Sequence, residues 1–356
     1  MATIVMAGGG TGGHVVPLLA VARELKARGH ECVFIGTRTG FEAKLVPAAG
    51  FPLEFIEIGG LKRVGIVRTA RTLAQLPLSI LRVLRLLGQY RPEAIFSLGG
   101  YAAGPVVLGG LLKRIPLVVM EPNAMPGLTN RQIGRFVSRA LLSFADASRF
   151  FPQGRSEITG LPVRSEFFAI APRARDAKLT ILITGGSQGS RTLNEAARGS
   201  WQYFREAGMP VRFIHQTGSA SHEALAKKFA ESGVEGQVLP FIDDMPAAFA
   251  QADLVVCRAG AGTVAELAAA GKPSILVPLP HAADHHQLRN AEAFEKAGAA
   301  VLVLDKDMDG GRLFEEVGKL RARPDLLKRM GDRARAFAHP EAARRAADVL
   351  EGAVAH

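Results

Sequence analysis

The sequence predicts an α/β protein built as two Rossmann-like domains facing across a cleft. Three observations carry this. Short apolar runs end in glycine-rich turns at 7–13, 99–104 and 184–189, and each turn opens into a helical pattern. With 356 residues, the chain exceeds a usual single domain. A Pro-containing connector, Gly160-Leu161-Pro162-Val163-Arg164, separates two copies of the pattern and reads as a hinge. The expected division is 1–160 plus 341–356 for one domain and 161–340 for the other.

Apolar residues make up 48% of the chain, ample for two packed cores, so disorder is not expected. Cys32 and Cys257 are too few and too far apart for a metal motif or a disulfide framework, which fits a reducing cytoplasm. The N-terminus lacks the charged region and long apolar run of a signal peptide. The net charge of +11 is lopsided. Residues 1–160 carry 19 Lys and Arg against 9 Asp and Glu, while 161–356 carry 25 against 24, so the first domain is the one expected to meet something anionic.

A buried strand over 2–6 runs into Gly8-Gly9-Gly10-Thr11-Gly12-Gly13-His14, and a helix is expected over 15–28. Backbone N–H groups and the positive end of a helix converge on an anion in such a turn. The spacing also satisfies the dinucleotide fingerprint, but the second strand, 32–35, ends in Gly36-Thr37-Arg38 where that fold needs a carboxylate. Arg38 would suit only a 2′-phosphate, which leaves an NADP oxidoreductase as an alternative. His14 has two readings: a hydrogen-bonded structural residue, or a general base kept neutral by the helix dipole.

Between Glu57 and Glu93 there is no acidic residue, whereas Lys62, Arg63, Arg68, Arg71, Arg82, Arg85 and Arg91 interleave with leucines. This is either a core-packed helix with a solvated basic face or a basic apolar patch, 62–91, for an anionic membrane surface. Nucleic acid is disfavoured because stacking aromatics are scarce there. The uncharged stretch 94–112 contains five glycines and Pro105, which reads as strand, glycine turn and buried helix rather than a membrane span. A strand over 117–120 leads into a polar turn from Glu121 to Asn130, and a short one over 157–159 precedes the hinge. There Arg164 either pairs with a surface carboxylate or anchors a diphosphate.

The second half repeats the scheme. A strand over 179–183 enters a glycine turn without the Gly-Lys-Ser/Thr of a P-loop, and strands follow over 211–216, 237–240, 254–256, 274–277 and 300–304. Thr263-Val264-Ala265-Glu266 is either a capping box or a carboxylate placed for the two hydroxyls of a ribose. Asp305, Asp307, Asp309 and Glu316 fit the acidic positions of an EF-hand, but a strand precedes them and Arg312 sits at an apolar position, so a chance acidic turn is expected. A last Ala/Arg-rich helix covers 340–353.

RAGAGTVAEL at 258–267, followed by KPSILVPLPHAADHHQ at 272–287, resembles the donor signature of the MurG family, bacterial UDP-GlcNAc transferases of GT-B architecture that make lipid II. The GGTGGH turn ending at His14 and the GGYAAGP turn at 99–105 also match. The third motif departs, with Met120 and Pro122 where the family has His and Gln, which puts the roles of those two side chains in doubt. The resemblance implies transfer of GlcNAc to the 4-hydroxyl of MurNAc in lipid I, with inversion, at the cytoplasmic face of the membrane. UDP-GlcNAc is then a co-substrate, and no cofactor or metal is expected. Ile242 would border uracil, Glu266 would take the ribose, and Ser187, Arg164 and Ala261, Gly262, Thr263 and Val264 would hold the diphosphate. Gln287 and Asn123 would meet the sugar. Thr11, Gly12 and Gly13 complete the donor set, with the 11–14 turn facing the acceptor diphosphate. His14 becomes the candidate base, and Gly10, Tyr101, Glu121 and Asn130 line the acceptor side. Another UDP-sugar transferase with a lipid acceptor and a UDP-GlcNAc epimerase remain the alternatives alongside the oxidoreductase.

Overall fold

The structure, a computed structural model, describes residues 1–10, 12–59, 65–172, 177–282 and 285–354, with backbone alone for 65–74. Thr11, Lys62 and Arg63 lie outside the described residues, as do the side chains of Arg68 and Arg71. The chain divides into two compact units, Met1–Val163 with His339–His356, and Arg164–Ala338.

The first unit runs β1 Thr3–Gly8, α1 Gly12–Ala27, β2 Glu31–Gly36, α2 Glu42–Ala48, β3 Leu53–Phe55, α3 Gly65–Tyr90, β4 Ala94–Gly99, α4 Ala103–Leu112, β5 Leu117–Glu121, α5 Leu128–Ile133, β6 Arg139–Leu142 and β7 Ser156–Ile158. All seven strands pair in parallel in the order β3-β2-β1-β4-β5-β6-β7. Every residue of β4 and β5 is buried, as a sheet covered by helices on both faces requires, and this is why those segments read as nearly continuous apolar runs, broken by Ser97 and closed by Glu121. β6, just four residues beginning at exposed Arg139, was not expected from the sequence. Helix α1 starts at Gly12, three residues earlier than the sequence suggests, so His14 lies in its first turn.

The second unit runs α6 Ser165–Phe168, β8 Leu179–Thr184, α7 Arg191–Glu206, β9 Val211–Gln216, α8 Ser219–Ser232, β10 Glu235–Leu239, α9 Met245–Gln251, β11 Leu254–Cys257, α10 Ala261–Ala270, β12 Ser274–Leu276, α11 His286–Lys296, β13 Ala300–Leu302, α12 Gly310–Arg321 and α13 Pro324–Arg335. Its parallel sheet has the order β10-β9-β8-β11-β12-β13. A core of Ile181, Ile183, Trp201, Phe204, Phe213, Val256 and Ile275 joins the sheet to its helices. The acidic turn after β13 is occupied structurally. Asp305 pairs with Arg258, Asp309 caps α12 by accepting from the Arg312 N–H at 2.8 Å, and Glu316 pairs with Arg312 and Lys319.

The last helix, α14 Ala342–Val354, belongs to the first unit. Arg28 beyond α1 donates to Asp348 at 2.7 Å and to Glu351 at 2.8 Å, and His30 Nε2 meets Glu351 at 2.9 Å. Each sheet reverses its order at its first strand, β1 beside β4 and β8 beside β11. The turns after those strands are where an open parallel sheet presents a ligand site.

Candidate active site

In the first unit, the turns after β1 and β4 interlock. Gly10 adopts φ +89°, and a Cβ there would fall 2.7 Å from the Tyr101 ring, so only glycine lets the turn close over the tyrosine. Gly10 N–H donates to the Glu42 carboxylate at 2.8 Å and is therefore not a donor for an acceptor anion. Gly12 and Gly13 supply the first turn of α1, whose leading N–H groups have no partner within the helix. His14 Nδ1 lies 3.2 Å from the Gly9 carbonyl. A carbonyl only accepts, so Nδ1 carries a proton, and in the neutral form of the ring the lone pair lies on Nε2.

The Glu121 side chain is 1% exposed and turned inward. One carboxylate oxygen accepts from Asn123 N at 2.9 Å and Asn123 Nδ2 at 3.0 Å, the other from Gly127 N at 3.1 Å and Asn130 Nδ2 at 2.9 Å. Burial pushes this carboxyl up, and the donors from Asn123, Asn130 and Gly127 pull it back. Glu121 thus builds the turn that follows β5, and Asn130, also 1% exposed, anchors it to the Met120 carbonyl at 3.1 Å. The two clusters meet at Gly99–Gly100: Thr129 donates to the Gly100 carbonyl at 3.1 Å, and a Cβ at Gly100 would sit 3.4 Å from His14 Nδ1.

In the second unit, α10 begins at Ala261 with Gly260 as its cap, and no side chain caps it. Thr263 is the third helical residue, so the capping-box reading of Thr263 and Glu266 fails. Val264 N–H already donates to the Gly260 carbonyl at 2.9 Å, and the outward donors of this helix start are those of Ala261, Gly262 and Thr263. Glu266 is partly buried one turn further on. Burial pushes its carboxyl up to about 7, while the Arg164 guanidinium pulls in the other direction. Arg164 precedes α6, is exposed, and stacks over Phe167 at 5.1 Å. Ser187 is exposed in the turn after β8. Ile242 is 7% exposed, so its neighbour Phe241, at 49%, is the apolar side chain standing free of the core. Gln287 accepts from Leu279 N–H at 2.9 Å, which ties α11 to the turn after β12.

Residues 4–142 match the glycosyltransferase family 28 N-terminal domain, and residues 180–346 match the glycosyltransferase family 28 C-terminal domain. The chain belongs to glycosyltransferase family 28. It is 60% identical over 350 residues, 98% of this chain and 96% of the relative, to the UDP-N-acetylglucosamine--N-acetylmuramyl-(pentapeptide) pyrophosphoryl-undecaprenol N-acetylglucosamine transferase of Solibacter usitatus (strain Ellin6076). Among solved structures it is similar to MurG of Acinetobacter baumannii, with a TM-score of 0.85 and 33% identity over 99% of this chain and 100% of that one. The UDP-GlcNAc 2-epimerase of Neisseria meningitidis, solved bound to UDP-GlcNAc, has a TM-score of 0.68 at 12% identity, covering 98% of this chain and 99% of that one, and shares the fold alone.

Three residues of this family 28 chain hold the turns of the second unit and were not singled out in the sequence. Gln216 Nε2 donates to the Gly186 carbonyl at 2.8 Å, and its Oε1 accepts from Ile242 N–H at 2.8 Å, so one amide joins the glycine turn to the Ile242 turn. Asn194 donates to the Thr217 carbonyl at 3.0 Å and meets His215 Nε2 at 3.0 Å, and burial lowers that imidazole to about 4, so it is neutral. Arg258 donates to Ser190 Oγ at 2.7 Å, to the Val277 carbonyl at 3.1 Å and to Asp305, so one guanidinium fastens the turns after β8, β12 and β13. Its side chain is 12% exposed, and truncation would strand Asp305 with its own side chain at 19%. Arg258→Ala is expected to cost about 3 kcal/mol of unfolding free energy in a urea titration. Arg258→Lys should not restore it, since an ammonium cannot span three turns as the planar fork does. Wild-type stability in Arg258→Ala would refute this hub.

Proposed function

We propose that this chain transfers GlcNAc from UDP-GlcNAc to the 4-hydroxyl of the MurNAc residue of lipid I, with inversion at the anomeric carbon. The observation that carries the reading is the 60% identity, over 98% of the chain, to an enzyme named for that transfer. The bond from the anomeric carbon to the UDP oxygen breaks, and its electron pair leaves on the β-phosphate. The acceptor hydroxyl forms the new bond, and its proton passes to His14 Nε2. The start of α10, the Ser187 turn and Arg164 meet the charge growing on the diphosphate, Glu266 accepts from the ribose hydroxyls, and Gln287 is assigned to the sugar. These groups supply the leaving-group stabilisation without a metal or organic cofactor. Radiolabel transfer from UDP-GlcNAc to a lipid I analogue tests the reading, and the rate should be the same with EDTA. No labelled product with this acceptor, but product with a diacylglycerol acceptor, would replace it by another lipid glycosyltransferase. Acceptor-independent conversion of UDP-GlcNAc would replace it by an epimerase.

The reading includes peripheral attachment to the cytoplasmic face of the membrane. Leu78, Leu81, Arg82 and Arg85 lie on one face of α3 and are all exposed, the leucines at 69% and 62%. Leu112 at the end of α4 is 68% exposed and is followed by Lys113 and Arg114. Leucines flanked by cations suit a surface of anionic lipid. Among the described residues, no helix is long and apolar enough to cross a membrane. Replacing Leu78 and Leu81 together by Ser is expected to weaken co-sedimentation with phosphatidylglycerol vesicles at least about tenfold. Transfer to a soluble acceptor should persist. Unchanged sedimentation would remove this face from the reading.

A further inference from the structure

We propose that Glu42 is the positioning residue of the catalytic turns in the first unit, setting Gly10, Tyr101 and His14 together. The proposal rests on the reading of His14 as the base and deepens it. Glu42 opens α2 and is 0% exposed. Its Oε2 accepts from Gly10 N–H at 2.8 Å, and its Oε1 accepts from Thr37 N–H at 2.9 Å and from Thr37 Oγ1 at 2.8 Å. Three glycines make room for it: a Cβ at Gly9, Gly36 or Gly40 would approach its side chain to 2.4, 2.6 or 2.0 Å. A carboxylate withdrawn from water is costly unless its oxygens are satisfied, and here three donors converge on them.

Each contact reaches a reacting part. The bond to Gly10 fixes the left-handed turn at φ +89° and with it the preceding residue, Gly9, whose carbonyl receives the His14 Nδ1 proton at 3.2 Å. That bond selects the tautomer with the base on Nε2. The Thr37 hydroxyl spends its hydrogen on Glu42, so its oxygen accepts from the Tyr101 hydroxyl at 3.3 Å. The same carboxylate therefore orients the phenol that underlies Gly10. It also takes the N–H that a phosphate would use in a dinucleotide fold and places negative charge there. This turns a phosphate-type turn into a support for a base and argues against the oxidoreductase alternative.

The test is steady-state kinetics on the full chain with a soluble lipid I analogue. Glu42→Gln keeps the shape but sets an amide NH₂ against backbone N–H donors. It is expected to lower kcat about 100-fold, the scale of a small displacement of a reacting group, with the UDP-GlcNAc KM unchanged. Thr37→Val, which threatens folding less, is expected to lower kcat about tenfold, and Thr37→Ser should restore most of that loss. Glu42→Gln with at least half of the wild-type kcat overturns the proposal. So does a wild-type kcat per UDP-binding molecule, which would mean that the substitution only unfolds part of the sample. If Glu42→Gln cannot be folded, a wild-type rate in Thr37→Val overturns it instead. His14→Ala run alongside separates the two readings. A fully active His14→Ala removes the base, whereas an inactive one beside an active Glu42→Gln removes only the role of Glu42.

Discussion

His14→Ala is expected to lower kcat for GlcNAc transfer about 10²–10⁴-fold, the range that a positioned general base contributes, while the UDP-GlcNAc KM stays within about twofold. The split follows from where the groups lie: His14 belongs to the first unit, and Glu266, Arg164 and Ser187, the groups proposed for the donor, belong to the second. His14 stands in the first turn of α1, where the positive end of the helix dipole disfavours an imidazolium. Its Nδ1 proton is committed to the Gly9 carbonyl at 3.2 Å, so the neutral ring carries its lone pair on Nε2 without a change of tautomer. Both features lower the cost of holding a base ready and neither adds affinity for the donor. A purely structural histidine would give the opposite pattern, with lost stability and intact turnover. His14→Ala retaining half of the wild-type kcat would end the assignment.

The sheets were legible because the central parallel strands, buried on both faces, leave short apolar runs, and glycine turns mark where several of them hand over to a helix. β9 occurs where the sequence puts it, over Val211–Gln216, whereas β6 opens on exposed Arg139 and no glycine turn follows it, so it leaves no such trace. Helix starts were less legible for a local reason. Gly12 and Gly13 have no side chain to announce a first turn, and the Thr-x-x-Glu pattern at 263–266 imitates a cap that Gly260 in fact provides. The motif positions drew attention to residues that present backbone or side chain at the turns. The residues that hold those turns did not stand out, because their partners are remote in sequence: Glu42 lies 32 residues from Gly10, Gln216 is 26 from Ile242, and Arg258 is 68 from Ser190. Glu42 even resembles an ordinary surface acid at a helix start. The signal that could have exposed it is the pair Gly36 and Gly40, two glycines just before an acid they must accommodate.

Glu266, the residue proposed for the ribose, is expected to have the largest effect on donor binding. Burial lifts its carboxyl from the ordinary 4.5 to about 7, against the pull of Arg164. Its contribution to the stability of the free protein is therefore fully present below pH 4.5 and is lost as pH rises through 7, because the folded state holds a proton that the unfolded chain has released. Binding runs the other way. A ribose diol donates two O–H groups, and only the ionised carboxylate accepts both without a hydrogen in the way. UDP-GlcNAc, whose doubly esterified diphosphate has no group titrating near pH 6, should therefore bind more tightly as pH rises to 7, with Kd rising about tenfold for each pH unit below it, and should expel a proton on binding near pH 6. Titration calorimetry in two buffers of different ionisation enthalpy reads both quantities. Glu266→Gln leaves an amide oxygen that still takes one ribose hydroxyl, so one charge-assisted hydrogen bond worth about 1.5–3 kcal/mol is lost, Kd should rise about 10- to 150-fold, and the pH slope should vanish with the carboxyl. A Kd that is flat between pH 5.5 and 8 in the wild-type protein would show that the carboxylate does not touch the nucleoside, whatever the mutant does. Gly260 already caps α10, so a weakened mutant cannot be explained by a lost helix cap, and the pH slope isolates the charge itself.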